Sequence, residues 1–305
     1  MTSSPPETRE QIEQTITGFV REAPENRLPE FDNCRVFDAP LVGVSDGDGD
    51  FFRTFRRSVS PNHILPREIL EKHAPAGTDL AAVRVISWAL PYSAEVRRSN
   101  RGIDWPSNFY SVARNNGGAL NWQLRGRLVD HVRQNGYAAI SPALTEEYDA
   151  FRSAEYTFSS TWSERHVAFA SGLGLFGLNG LLITRRGTMV RLGSLVTNLP
   201  LPLPPRGDSE HRAPCLQDGG RRCGLCLDRC PVGAISSAGL DKTRCYARRK
   251  TIRETLLQHH VRTFHMIASP IIKSGQREPG FSLGCALCAA GVPCETSTPP
   301  LEKKA

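Results

Sequence analysis

Eight of the chain's nine cysteines lie between Cys215 and Cys294, and no other feature of the 305 residues restricts the fold as much. They run as Cys215, then Cys223, Cys226 and Cys230 with Pro231 directly after, then Cys245, then Cys285, Cys288 and Cys294. The ninth, Cys34, stands alone and reads as a bystander thiol. A disulfide framework belongs to small secreted domains that cannot build a core. A chain of this length buries a core without cross-links, so clustered thiols are expected to be metal ligands.

The spacing narrows the metal. C-x2-C-x3-C-P closes the bacterial two-cluster ferredoxin pattern. A cubane needs four thiolates around it, and a short C-x2-C loop sets two sulfurs on neighbouring corners. Pro231 stops regular structure, so Cys230 can turn away from its neighbours. In two-cluster ferredoxins the cysteine before that proline serves the other cluster. The rule assigns Cys215, Cys223, Cys226 and Cys294 to one [4Fe-4S] cluster, A, and Cys230, Cys245, Cys285 and Cys288 to a second, B. Paired zinc sites would also use C-x2-C loops, but they explain neither the C-P step nor the interleaving.

The formal charge of +7 invites a nucleic-acid partner. That count treats cysteines as neutral, whereas four thiolates on an oxidised cubane add about −2 per site, leaving about +3 for the chain. The basic balance is therefore partly compensation for the clusters. No run of eighteen apolar residues suggests a membrane span, and the opening MTSSPPETREQIEQ lacks an apolar signal core. The expectation is a cytoplasmic protein with no membrane partner.

Periodicity places a helix over 7–22, with Ile12, Ile16, Phe19 and Val20 on one face. A Gly-, Asp- and Pro-rich stretch follows and reads as irregular up to residue 79. Asp46, Asp48 and Asp50 imitate the start of a calcium loop, but Phe51 replaces its glycine and Arg57 its closing glutamate. AAVRVISWALPYS reads as a buried strand. Leu120, Leu124, Leu128 and Val132 mark a helix stopped by Gly136, and TWSERHVAFASG marks another. LLIT and MVRLGSLVT, separated by RRG, read as a strand pair. A proline-rich seam, LPLPLPPRGD, precedes the cysteines. Three segments are expected: 1–79, helical and irregular; 80–205, mixed helix and strand; and 206–305, the cysteine unit. Gly172, Gly174 and Gly177 match G-x-G-x-x-G but follow a helix and enter a strand, the reverse of a dinucleotide fold. They read as a tight turn whose amides can face a cofactor.

CGLCLDRCPVGAI, DKTRCYARRKTIRE and GCALCAAGVPCE resemble, in that order, the double-cluster domain of epoxyqueuosine reductases and reductive dehalogenases. VRVISWALPYS, SERHVAFASGLGLFGLNGLLIT and RLGSLVTNLPLPL resemble the cofactor domain that those enzymes share. The resemblance implies an α+β fold, with a nitroreductase-like, cobalamin-binding domain followed by a ferredoxin-like domain with two [4Fe-4S] clusters. It implies a cobalamin-dependent reductase, fed by a ferredoxin or flavodoxin-type electron donor and acting on a small-molecule or modified-nucleoside substrate. Two departures stand out. Epoxyqueuosine reductases place an aspartate six residues before the Glu-Arg pair, and here that position is Phe158, so the family's proton donor is missing. Their C-P-W-N ending is replaced by V-P-C-E-T-S. An electron-transfer protein without cobalamin, and a tRNA epoxyqueuosine reductase, are the alternatives. Tyr156, Glu164, Arg165 and His166, just before the glycine turn, are the catalytic candidates. On a helix Glu164 and Arg165 point to different faces, and their plainer reading is a surface or interdomain ion pair.

Overall fold

The computed structural model describes residues 8–151, 158–204, 215–217, 223–260, 267–273, 276–280 and 282–299. In chain order its main elements are α1 (Arg9–Glu22), β1 (Leu41–Asp46), α2 (Asp50–Ser58), α3 (Pro66–His73), β2 (Arg84–Pro91), α4 (Ala94–Ser99), α5 (Asn108–Gln134) and β3 (Ala139–Ile140). There follow α6 (Glu164–Ala170), β4 (Gly174–Phe176), β5 (Leu182–Thr184) and β6 (Val190–Thr197). The cysteine segment contributes α7 (Leu225–Asp228), β7 (Ile235–Ser236), β8 (Gly239–Leu240), α8 (Lys242–His260), β9 (Ile267–Lys273) and β10 (Gln276–Gly280).

The first helix starts where its sequence has a capping box. The Thr8 hydroxyl accepts from the Gln11 amide, and the Gln11 side chain accepts from the Thr8 amide at 2.7 Å. One face of α1 then buries Ile12, Ile16 and Val20.

A four-stranded antiparallel sheet in the order β1-β2-β6-β3 forms the centre. Successive side chains of a strand point to opposite faces, and helices cover both faces of this sheet. Ile86, Trp88 and Leu90 of β2 join a core with Ile12 and Ile16 of α1 and Leu120, Leu124 and Leu128 of α5. Val85 joins a second core with Phe52 and Phe55 of α2, Ile69 of α3 and Val167 of α6. This is why β2 reads as an unbroken apolar run. Opposite Trp88 in the register stands Gly193. A Cβ there would lie 2.5 Å from the indole ring, so the glycine makes room for a fully buried tryptophan whose Nε1 donates to Asn121 on α5 at 2.7 Å.

The chain is thus a mixed helix-and-sheet protein, and its details correct three expectations. Residues 41–46, expected to be irregular, are a strand hydrogen-bonded to β2 along its length, so the boundary expected near residue 80 falls between two paired strands. LLIT and MVRLGSLVT do not pair as strands: β5 pairs with β4, and β6 with β2 and β3, leaving only the isolated bridge Thr184–Gly187 at the RRG turn. Nor does the cysteine segment have a core apart. Ile252 and Leu256 of α8, with Leu283, Ala289 and Ala290, pack into the core that α1 and α5 share.

The three aspartates of the calcium-like loop are engaged by arginines. Arg67 holds Asp48 through two bonds of 2.7 and 2.6 Å, Arg53 holds Asp50 at 3.0 Å, and Arg84 lies 3.5 Å from Asp46. Among the described residues no helix is long and apolar enough to cross a membrane.

Candidate metal centre

The cysteines of 215–294 gather in two groups. Cys215, Cys223, Cys226 and Cys294 line one open cavity of about 30 Å³, whose wall includes Gly177, Asn179 and Ile183. Burial pushes the Cys226 thiol up to about 12, and Cys294, Cys215 and Cys223 push the same way. Burial raises Cys294 to about 11, with Cys215 and Cys223 again adding. The second group is Cys230, Cys245, Cys285 and Cys288. Burial lifts Cys288 well above the ordinary thiol range, and Cys285, Cys245 and Cys230 add to it, followed by Cys226 of the first group. Burial also raises Cys245 and Cys285, each with Cys230 as a further upward influence. The two groups therefore adjoin through Cys226 and Cys288.

Eight thiols crowded this way are costly as thiolates without a cation to neutralise them. Among the described residues no three His, Cys, Asp or Glu converge as they would on a single ion. A cubane spreads its thiolates over four irons, so its ligands need not meet at one point as zinc ligands do. The all-thiol donor set, and a cavity lining without carboxylates, fit two [4Fe-4S] cores.

Local chemistry explains the placement. Gly224 takes φ +62, in the left-handed region, and opens α7, which carries Cys226. The Cys230 amide closes on Leu227 O at 3.1 Å, Pro231 follows, and the Ala234 amide donates to the Cys230 sulfur at 3.2 Å. The sheet unit grips the remaining ligands by their carbonyls. Asn100 donates to Cys285 O at 3.1 Å, Asn179 to Cys288 O at 3.3 Å, and the Thr188 amide to Cys294 O at 2.9 Å. Beside it Gly187 has φ +85, and a Cβ would lie 2.0 Å from Glu295 O. Arg229 spreads its guanidinium over Leu287 O (3.0 Å), Arg101 O (3.1 Å), Gly102 O (2.8 Å) and Asn100 O (3.4 Å). Buried Glu295 binds Arg101 at 3.1 Å and the Gly291 amide at 2.8 Å. Sequence reading missed these supports. Of them only Arg229 and Glu295 stand next to a cysteine in sequence; Asn100, Asn179 and Thr188 lie far from any cysteine motif.

The catalytic candidates scatter. Tyr156 lies outside the described residues. Glu164 faces into the sheet unit, where it binds Arg125 at 2.9 Å and the Ser194 hydroxyl at 2.7 Å. The ion pair is thus buried within one unit, not on a surface or between domains. His166 hydrogen-bonds Ser163 at 2.7 Å and packs against the rings of Phe55 and Phe176. Of the three described, only Arg165 lies by the cysteines: it donates to Gly180 O at 2.6 Å, and Cys245 is the charged neighbour acting on it. Of the three glycines, Gly177 alone lines the cysteine cavity. Gly172 supplies the positive φ that ends α6, and Gly174 admits the Ile183 carbonyl, 2.3 Å from where its Cβ would stand. Both serve the turn. Phe158 stacks on Tyr246, the residue after Cys245, with centroids 4.1 Å apart, and Lys242 donates to the Phe158 carbonyl at 3.2 Å.

No protein-family model matches the chain. Over 212 residues it is 28% identical to the epoxyqueuosine reductase of Pseudomonas aeruginosa, covering 67% of this chain and 54% of that one. Over 191 residues it is 30% identical to the epoxyqueuosine reductase of Synechocystis sp., covering 55% of this chain and 63% of the relative. The chain is similar in sequence to epoxyqueuosine reductases. It spans between about half and two thirds of the length of these curated relatives. A solved structure described as a catabolic reductive dehalogenase aligns with a TM-score of 0.44 at 18% identity, over 69% of this chain and 27% of that one.

Proposed function

We propose that this protein is a cytoplasmic iron–sulfur oxidoreductase holding two [4Fe-4S] clusters, A on Cys215, Cys223, Cys226 and Cys294 and B on Cys230, Cys245, Cys285 and Cys288. Electrons enter from a ferredoxin or flavodoxin-type donor, cross the adjoining clusters and reach a substrate bound beside cluster B. The observation that carries this reading is the sorting of eight thiols into two adjoining groups of four, interleaved in sequence. The finer architecture of this reading is a nitroreductase-like sheet unit joined to a ferredoxin-like cluster unit.

The family likeness adds a corrinoid. Beside Cys245 the stacked Phe158 and Tyr246 offer an apolar face, and Arg165, Arg249 and Lys242 offer donors, which suit the broad plane and amide rim of such a group. When bound, it supplies a low-potential metal centre for reduction. A pure electron carrier is the second reading, favoured by Phe158 at the position where the family has its acid. Either reading differs from a tRNA epoxyqueuosine reductase, which would need another proton donor in this chain.

Anaerobically reconstituted protein should hold about eight irons and show the broad thiolate-to-iron absorption band. Zinc in place of iron, or iron for one cluster only, overturns the assignment. Titration with hydroxocobalamin separates the readings: a base-off spectrum supports the corrinoid enzyme, and no spectral change selects the carrier.

A further inference from the structure

The segment that delivers Cys285 passes directly over a guanidinium. The Ser282 amide donates to Asn115 Oδ1 on α5 at 3.1 Å, and Arg191 on β6 donates to Ser282 Oγ at 2.6 Å and to Arg114 O at 2.9 Å. A Cβ on Gly284 would stand 2.7 Å from Arg114 Nε, 3.0 Å from its Cζ and 3.1 Å from its Nη2. Glycine therefore lets the Arg114 guanidinium press on the backbone one residue before Cys285. A second arginine, Arg248, stands three residues beyond Cys245 on α8, on a neighbouring part of the helix surface. It donates to the Asp104 carbonyl, and its Cζ lies 4.7 Å from the centre of the Trp105 ring. The Nε atoms of Arg114 and Arg248 are both buried without a hydrogen-bond partner. Among the described residues neither arginine pairs with a carboxylate. Arg114 has the Tyr110 hydroxyl at 3.4 Å, and Arg248 has that carbonyl and that ring.

Group A has a different setting. Among the described residues its cavity wall holds no charged side chain; it is built from groups such as Leu178, Ile183, Val292 and Pro299, with the amides of Asn179 and Gln217. The thiols register the same difference. Burial raises Cys285, and the Leu287 amide and Arg248 oppose it. Cys226 and Cys294 are also raised by burial, and what opposes it there is hydrogen bonding. A fixed positive charge favours the reduced form of a nearby cubane, because reduction adds an electron to a site that is already negative. Two clusters with the same thiolate ligands, one beside two arginines and the other behind a neutral wall, therefore differ in potential.

We propose that Arg114 and Arg248 set the reduction potential of cluster B above that of cluster A and so give the pair a direction. The transfer they favour moves one electron: A is oxidised as B is reduced, no bond is made or broken, and the ferredoxin or flavodoxin-type donor supplies the electron. Charge then collects at B, on the side of Cys245 and the Phe158–Tyr246 stack. The proposal rests on the two-cluster reading above and names the residues that orient it.

The test is a redox titration of the iron-loaded protein followed by electron paramagnetic resonance. The wild type should reduce in two one-electron steps. Cys294→Ala, which deletes a ligand of A, should keep a single step near the higher of the two; a single step near the lower one overturns the proposal. Arg114→Gln and Arg248→Gln should each move the higher step down by about 59 mV, a tenfold change in the equilibrium between the clusters, and leave the lower step in place. If neither step moves in either variant, or both steps move equally, the arginines do not set the order. Arg114→Lys and Arg248→Lys keep the charge and should return the higher step to near its wild-type position. Lysine variants as low as the glutamine ones assign the arginines to packing and sink the idea, as does loss of iron in both glutamine variants. Arg53→Gln, on the exposed side of α2, should leave both steps unchanged, and an equal shift there also counts against the proposal. Iron is counted on every sample. A wild type short of about eight irons fails the two-cluster reading, whereas about eight irons with the steps in the wrong order fails this proposal only.

Discussion

Glu164 sits next to the family-like glycine turn, yet the structure gives it a structural task whose size can be worked out. Its carboxylate binds Arg125 at 2.9 Å, with the two side chains only 19% and 10% exposed, and accepts from Ser194 at 2.7 Å. Ser194 in turn accepts from the Trp162 indole at 2.9 Å. Glu164→Ala strands the Arg125 charge with two long bonds, to Leu192 O at 3.3 Å and Asn121 O at 3.4 Å. Stranding one partner of a buried pair costs about 3–5 kcal/mol, and the remaining carbonyls put this case near the low end, about 3 kcal/mol. For a protein of this size each kcal/mol moves the melting temperature by about 2–4 °C, so the variant should melt about 6–12 °C below wild type. The Glu164→Ala, Arg125→Met double variant removes the stranded charge and should recover part of the loss. Thermal melts by circular dichroism on iron-loaded samples, with iron counted first, read the wild type, Glu164→Ala, Arg125→Met and the double variant. A loss in Glu164→Ala below about 0.5 kcal/mol, as at an ordinary surface site, refutes the reasoning. So does a double variant that loses the full sum of the two singles.

Cys294→Ala should remove cluster A and leave the paramagnetic signal of cluster B, although Cys294 lies nearest in sequence to Cys288; selective loss of B would show the division of ligands to be wrong. His63 is fully buried, and burial holds its pKa down to about 4 against the usual 6.5, with Arg56 also lowering it and the Ile64 carbonyl opposing. Because the folded state disfavours protonation, its contribution is complete above pH 6.5 and is lost as pH falls toward 4; between pH 6.5 and 4.5 the wild type should lose about 2 kcal/mol more stability than His63→Gln. Parallel urea-denaturation profiles for the two proteins would contradict this. Arg229→Ala deletes bonds to four carbonyls and should weaken the cysteine loops by about 2 kcal/mol, read as severalfold faster iron release to a chelator. An unchanged release rate would mean that those bonds do not hold the loops.

The parts of this protein written in short-range chemistry could be read from its sequence. Ligand spacing and the C-P step divide the cysteines into two sets of four, and most of the cysteine neighbours of Cys226, Cys288 and Cys294 follow that division, Cys226 beside Cys288 being the exception. The stripe of Leu120, Leu124, Leu128 and Val132 marks α5, whose core face it forms. The rest depended on distant partners. Strand β1 hides in a loop-like composition because its third position must be glycine: a Cβ on Gly43 would lie 2.2 Å from the Ser171 carbonyl. The RRG turn does reverse the chain, but β6 finds eight partners on β2 and none on β5. The glycine motif could be recognised, whereas which glycine meets the cysteines could not.

Asn100, Asn179 and the Thr188 amide, which hold the carbonyls of Cys285, Cys288 and Cys294, belong to a part of the chain that offers no iron ligand. If these thiols bind iron as proposed, metal loading would depend on tertiary assembly. Cys285, Cys288 and Cys294 would reach their stations with the sheet formed and the tail docked on it, and iron delivered earlier would meet an incomplete set of ligands. A defect far from any sulfur, at Gly193 under Trp88 for instance, would then emerge first as a colourless protein.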